Sequence, residues 1–497
     1  MPKRSTAIRI FLTGFLIFCA HFSSNVVRET YLALALAEDR SVRVDQYLGL
    51  HPDLFEIEGR GAYINSNPGA SILGAVPLAV ASPILGLLYR ARPGLVAPKP
   101  AATYDDPRPN RDLFMNRARE RGLDIHLGLA AAVTQVGLMA PTSALAMVLM
   151  YFLACARFGR EREATWLALL YGFGTPIFFR TAFLNQNLLV AHLVLVGFAL
   201  LAWPGTRDDA DERRRELGVG LCAGMGLLLD YSAAPIAVAF GTWIMARRLS
   251  TGGIGRALSA GVRYTLGAAG PVALLFGYQA WAFGAPWFPA QRYMDPTEFS
   301  VLGWNGMTLP TAELLFRNLF SLNYGLFAFC PLLIAAFAAP FVDRDEGGPT
   351  GSELALIFGA TGALWLFNSA NQFSHLQFNT GVRYMVPIVP LLFFATIPVL
   401  RRVPRIVAWA LLFPTLVISA AIAMTRENVV TALTRVFLLG PELPWVTVLR
   451  KMASGYAPGL ADGVSPLMIF FGLGVIVWLI WRGGDPTTRL GSAVHDQ

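Results

Sequence analysis

Three kinds of side chain in this sequence could do chemistry together: carboxylates that take a proton, arginines that hold a phosphate, and amides that bond hydroxyls. Glu29, in Arg28-Glu29-Thr30-Tyr31, directly follows a long apolar run. A carboxylate at a water–lipid boundary, with a low-dielectric medium on one side, can serve as a general base. The plainer reading is an acid favoured by a helix start and paired with Arg28. Asp45, in Val44-Asp45-Gln46-Tyr47, is the second acid candidate; its plainer reading is a loop acid paired with Arg43. The other carboxylates nearby, Glu38, Asp39, Asp53, Glu56 and Glu58, read as solvated surface.

Downstream, Asn65-Ser66-Asn67-Pro68-Gly69-Ala70 leads into an apolar run. Asn67 can cap the helix, Pro68 suits its first turn, and the free N–H groups of that helix end suit a lipid phosphate. Arg180, Asn185, Gln186, Asn187 and His192 cluster where two apolar runs meet. Polar groups at membrane depth are costly and usually face a cavity or a partner. Arg180 reads as a phosphate or sugar contact, or as a snorkelling side chain. Asp230-Tyr231 breaks another apolar run, as a sugar-hydroxyl acceptor or as a carboxylate satisfied by helix ends. His375 and Arg383-Tyr384 belong to a polar, aromatic stretch running from Asn368. An arginine there can hold a phosphate bidentately, while His375 can equally be a surface histidine.

These residues need positioning elements, and composition says what kind. The chain has 497 residues, 55% hydrophobic and 14% charged, with mean hydropathy +0.50. Soluble domains carry about 25% charged residues. The expected fold is therefore an all-α polytopic membrane protein. Its net charge of +8 is scattered as short basic clusters between apolar runs, the pattern of cytoplasmic loops, so no nucleic-acid partner is expected. The four cysteines, Cys19, Cys155, Cys222 and Cys330, sit in apolar runs without metal-type spacing. The basic N-terminus and the apolar stretch after it read as an uncleaved first helix.

Span length and arginine placement predict about 12–14 transmembrane helices. The first runs outward over residues 8–27, a partly helical extracytoplasmic loop fills 28–69, and a second helix returns over 70–89. A basic loop at 90–125 is placed in the cytoplasm. The run from His126 to Arg157, interrupted by Pro141, reads as two short helices. Further on, Asp230 falls outside, Arg247-Arg248 inside, and Arg401, Arg402 and Arg405 inside. Asp343-Arg344-Asp345 and Asp208-Asp209 read as solvated inner loops, and Gly220–Gly224 as a helix-packing GlyxxxGly. No P-loop or helical His-Glu-x-x-His occurs, and residues 1–497 form a single domain. On this topology the polar candidates all face one side, outside, at the surface of a bacterial inner (cell) membrane.

The layout resembles the GT-C superfamily of integral membrane glycosyltransferases that use polyprenyl-phosphate sugars, near its protein mannosyltransferase-like and aminoarabinose transferase-like branches. The resemblance rests on the acidic first outer loop ending in Asn-Pro-Gly, on Leu170-Tyr171-Gly172-Phe173-Gly174-Thr175-Pro176 followed by Arg180, and on Phe320-Ser321-Leu322-Asn323-Tyr324-Gly325-Leu326-Phe327. Its last part is Phe378-Asn379-Thr380-Gly381-Val382-Arg383-Tyr384-Met385-Val386-Pro387. It implies a polyprenyl-phosphate sugar donor, a lipid, glycan or protein acceptor, and an acidic base in the first loop. That base is usually Asp; here Glu29 is the nearest match, then Asp45. The resemblance leaves a divalent metal open as a cofactor and fixes none. Arg28, Asn65, Asn67, Arg180, Asn185, Asp230, Tyr231, His375, Arg383 and Tyr384 are the expected substrate contacts. The competing reading is a transporter or flippase of a lipid-linked sugar or small solute, for which Asp230 and the broken helices are suited.

Overall fold

The computed structural model describes residues 2–102, 111–205, 208–342, 347–377, 381–456 and 464–482. Of the residues singled out above, Asp343, Arg344, Asp345, Phe378, Asn379 and Thr380 lie outside the described residues, as does Arg108 of the basic 90–125 loop. The chain is almost entirely helical. It begins with α1 (Arg4–Ala20), α2 (Arg28–Leu34), a small antiparallel hairpin of β1 (Leu54–Ile57) and β2 (Gly61–Ile64), and α3 (Gly69–Ala91). Next come α4 (Arg111–Glu120), α5 (Asp124–Thr134), α6 (Ala140–Phe158), α7 (Glu161–Phe173), α8 (Ile177–Arg180), α9 (Gln186–Ala202), α10 (Asp209–Leu229) and α11 (Ala234–Phe283). The rest is α12 (Ala312–Phe320), α13 (Leu326–Phe329), α14 (Gly351–Ala370), α15 (Val389–Arg402), α16 (Arg405–Thr425), α17 (Val429–Leu439), α18 (Pro444–Tyr456) and α19 (Pro466–Arg482).

The chain is an integral multi-pass membrane protein. Among the described residues five helical segments are long and apolar enough to cross a bilayer, or six if α17 and the start of α18, bent by 67°, count as one. The expected number was larger because it counted apolar runs, and many of these runs are short or broken helices. The run ending at Arg180 is split at Gly174–Pro176 into α7 and α8, and Pro331–Phe341 is a tight 3-10 coil. α11 folds back on itself at Gly253, whose φ of +75° suits glycine alone; Tyr264 on its second arm donates to the Ala237 carbonyl on its first, at 2.6 Å. α10 packs tightly on that second arm: a Cβ on Gly220 or Gly224 would strike the Tyr264 or Ala268 backbone. This is the close approach that a GlyxxxGly permits.

One end of the bundle is held by ion pairs. Arg157 on α6 binds Glu353 on α14 through both oxygens (2.9 and 2.8 Å) and three carbonyls besides. Arg248 and Arg263, on the two arms of α11, share Glu216 of α10 at 2.6 and 2.5 Å. Arg401 binds Glu163 at 2.9 Å. These are the loops assigned to one face by their arginines, and they do lie together.

The 90–125 loop is the exception. Arg117 donates to the Gly49 carbonyl at 2.9 Å and Arg121 to that of Leu48 at 3.0 Å, Phe114 stacks on His51, and His126 meets Glu38 at 3.3 Å. A loop that grips residues 38–51 cannot lie across the membrane from them, so its expected cytoplasmic placement is overturned. Both ends of α3 then belong to the same end of the molecule. Its exposed Val76, Val80, Ile84 and Leu87 suit a helix lying against lipid. The two short helices expected over 126–157 are one continuous helix, residues 124–158. A π-helical turn, Gln135–Met139, precedes Pro141 and absorbs the break that proline would otherwise cause.

Candidate active site

α2 begins where Val27, in extended conformation, turns the chain after α1. Residues 29–34 are all buried, wedged between α3 and the apolar core of the first loop. Glu29 therefore sits in a helix first turn at 2% exposure, and Ser71 of α3 donates to its backbone carbonyl at 2.9 Å. Arg28 Nε donates to Glu29 Oε1 at 2.9 Å, and Arg28 Nη1 donates to Asp53 Oδ2 at 2.8 Å. Asn65 Nδ2 donates to the other Asp53 oxygen at 2.8 Å, and Gln291 donates to the Asn65 carbonyl at 2.7 Å. This chain of bonds fixes Arg28 between two carboxylates and leaves the second Glu29 oxygen without a hydrogen bond among the described residues.

The electrostatics of the loop follow. Burial would raise the Asp53 carboxyl, but Arg28, His51, Arg383 and the Asn65 bond outweigh it and hold it at about 2. Burial also pushes His51 below its ordinary value, against the pull of Asp53. Arg28 is shifted upward: burial opposes its charge, and Glu29 and Asp53 overcome it.

Three more arginines converge on this point. Arg180 ends α8 at 2% exposure, its guanidinium 5.2 Å from the Phe183 ring centroid. Arg426, just past α16 in a left-handed conformation (φ 65°), lies over the same ring at 4.6 Å and donates to the Phe179 carbonyl. Arg383 is set by the turn at Gly381, whose φ of +68° and contact with Phe329 admit no Cβ. Gln377 Oε1 accepts the N–H groups of Arg383 (3.2 Å) and Tyr384 (2.9 Å), and Asn368 donates to the Tyr384 carbonyl at 3.1 Å. The Arg383 guanidinium rests over the Tyr384 ring at 5.2 Å and makes no hydrogen bond or ion pair among the described residues. Arg383, Arg426, Glu29 and Tyr384 all lie within electrostatic reach of Arg180. Arg28, Arg180, Arg383 and Arg426 thus gather near two carboxylates, Glu29 and Asp53. The Arg383 guanidinium, held out of an ion pair among the described residues, is placed to meet an anion.

Glu29, Arg28, Asn65, Arg180, Arg383 and Tyr384 are therefore brought together. The other expected site residues are not. Asp45 is tied to Arg43 at 2.6 Å and accepts the Ala62 N–H at 2.6 Å, so it pins the hairpin instead. Asn67 does not cap α3, whose N-cap is Pro68; it donates to the Leu227 carbonyl at 2.7 Å. The α3 start abuts the backbone of Leu228 and Leu229, which closes it to a phosphate. Asn185 caps α9 through the Leu188 N–H at 3.2 Å. Asp230 ends α10, accepting from Ser232 N–H (2.7 Å) and Asn187 (3.3 Å), and Tyr231 accepts from Gln279. His375 stacks on Phe299, and His192 bonds Ser143 within the bundle at 2.9 Å.

Sequence reasoning missed Asp53, His51 and Arg426. The spacing His51-Pro52-Asp53 carried no signal against six other loop acids. Arg426 could have been noticed as an arginine closing an apolar helix at the same end as Arg180 and Arg383. As for a metal, the described residues contain no group of three or more His, Cys, Asp or Glu side chains placed to hold one, and Arg28 already fills the position between Glu29 and Asp53 that a cation would take.

No family model matches the chain, and no curated protein matches it. A solved structure of similar fold is ArnT from Cupriavidus metallidurans bound to undecaprenyl phosphate, with a TM-score of 0.49 and 12% identity over 95% of this chain and 75% of that one.

Proposed function

We propose that the chain is a membrane glycosyltransferase that moves a sugar from a polyprenyl-phosphate donor to an acceptor hydroxyl at the extracytoplasmic face. The observation that carries this reading is the convergence of Arg28, Arg180, Arg383 and Arg426 on one buried carboxylate, Glu29. Arginines gathered beside that carboxylate, with the Arg383 guanidinium free of hydrogen bonds and ion pairs among the described residues, suit a phosphate that arrives on a lipid.

In the proposed reaction the acceptor hydroxyl lies against the unbonded oxygen of Glu29, which takes its proton. The acceptor oxygen forms a bond to the anomeric carbon while the bond from that carbon to the phosphate oxygen breaks. The electron pair leaves on the polyprenyl phosphate, whose charge Arg383 and Arg180 meet. A single displacement inverts the anomeric carbon. Arg28 and Asp53 hold Glu29 in place, and Tyr384 supports Arg383 from below.

The test is transfer of radiolabelled sugar from a polyprenyl-phosphate donor by the purified protein in liposomes. Glu29→Gln is expected to lower turnover by about 10²–10⁴-fold while the protein still inserts and folds. Unchanged turnover would remove Glu29 as the base. Movement of the intact lipid-linked sugar across the bilayer, with no transfer by the unaltered protein, would favour the carrier reading instead.

A further inference from the structure

The end of the bundle away from Glu29 holds a cavity of about 1220 Å³, lined among others by Arg157, Phe158, Arg160, Glu163, Arg401 and Arg405. Its charges are unequal in kind. Arg157 is matched by Glu353 and Arg401 by Glu163. Arg160 and Arg405 are exposed, and neither guanidinium has a hydrogen bond or ion pair among the described residues. The two come from different loops, one before α7 and one at the start of α16, and only the fold brings them to one cavity.

α16 adds a second, independent demand. It starts at Arg405 with no side-chain cap and no acid in its first turn. A cation at the positive end of a 21-residue helix is unfavourable unless an anion sits beside it. The same helix says where that anion comes from. Ile406, Trp409 and Phe413 are exposed at 80%, 61% and 64% and share one face at helical spacing. An apolar strip therefore runs from the cavity mouth along the bundle, as an acyl chain would.

We propose that this cavity binds the phosphate of an anionic phospholipid headgroup, with Arg160, Arg405 and the α16 start as its contacts and the acyl chains along Ile406, Trp409 and Phe413. Basic pockets between helices at this depth suit such headgroups. The site is separate from the Glu29 cluster and independent of the reaction proposed there.

Native mass spectrometry of the full chain in neutral detergent tests it, with added phosphatidylglycerol, phosphatidylcholine, or phosphatidylglycerol with excess inorganic phosphate. Bound phosphatidylglycerol is expected to exceed phosphatidylcholine and to persist in phosphate. The double variant Arg160→Gln/Arg405→Gln should weaken it by about tenfold or more, Arg160→Lys/Arg405→Lys should retain most of it, and Arg256→Gln, an exposed arginine elsewhere, should change nothing. Equal binding of the two lipids, displacement by free phosphate, or a glutamine double variant that binds as tightly would each overturn the proposal.

Discussion

The two ends of this bundle use arginine in opposite ways. At one end guanidinium meets carboxylate in pairs: Arg157 with Glu353, Arg401 with Glu163, Arg248 and Arg263 with Glu216. Those pairs join α6 to α14 and α10 to both arms of α11, so their work is to hold helices. At the other end Arg180 and Arg426 crowd one phenyl ring, Arg28 is shared by Glu29 and Asp53, and the Arg383 guanidinium has no hydrogen bond or ion pair among the described residues. The pairs at the first end hold helices together, while Arg383 at the second is held in place by its backbone and by Tyr384 with its guanidinium left over.

That contrast can be broken by experiment. The largest effect is expected at the second end: Arg383→Gln should cut sugar transfer by about 10²–10³-fold and leave the unfolding temperature in detergent almost unmoved. The reverse result, lost stability with retained transfer, would make Arg383 structural. Next comes the first end. Glu353→Ala leaves Arg157 buried without its partner and should lower stability by about 3–5 kcal/mol, read by thermal unfolding, with little change in turnover per folded molecule.

A subtler test concerns Asp53. Its folded carboxyl lies near 2 against an ordinary 3.8, so its contribution to the first loop is complete above about 3.8 and is lost as pH falls through about 2. Pepsin cleavage within residues 28–69 should rise across that window, and Asp53→Asn should be cleaved readily at its upper edge with a flatter dependence. A wild-type pattern in the variant would show that Arg28 does not need this partner. The smallest effect is expected for Asp45→Ala, which removes an exposed pair with Arg43. It should cost under about 1 kcal/mol and leave transfer intact; a large loss of transfer would return Asp45 to the site.

Much of this was legible because it follows from burial alone. Glu29 and Arg180 stand beside long apolar runs, and a charge there needs a reason. Asp230 was readable as a helix break, though its bonds to Ser232 and Asn187 show a carboxylate occupied by helix ends. The segment from Ala70 to Arg157 was misread twice, with a cancelling result. α3 counted as a crossing although the segments before and after it grip each other, and the 124–158 helix counted as two. Three crossings and one crossing leave the chain on the same side, so the expected grouping of Arg157, Arg248 and Arg401 at one end agrees with their ion pairs. Apolar length cannot tell a helix that crosses from one that lies along the surface, and proline in sequence does not disclose that a π-turn will absorb it. Asp53 was hidden for a related reason: its importance lies in meeting Arg28, 25 residues away, and no local pattern reports that.

The π-turn at Gln135–Met139 also works as a phase shifter. Each residue of a helix turns it by about 100°, and this turn holds a residue more than an α-helix would over the same length. α6 can therefore keep its small and apolar side against α1 and α7, while α5 aims His126 at Glu38 and Tyr89. Gln135 marks the joint, donating to the Phe18 carbonyl at 2.9 Å where α1 ends. Removing one residue there would rotate the outer third of the helix against the inner two-thirds and swing His126 off its partners, unseating the cover over the first loop without altering a single residue of the site itself.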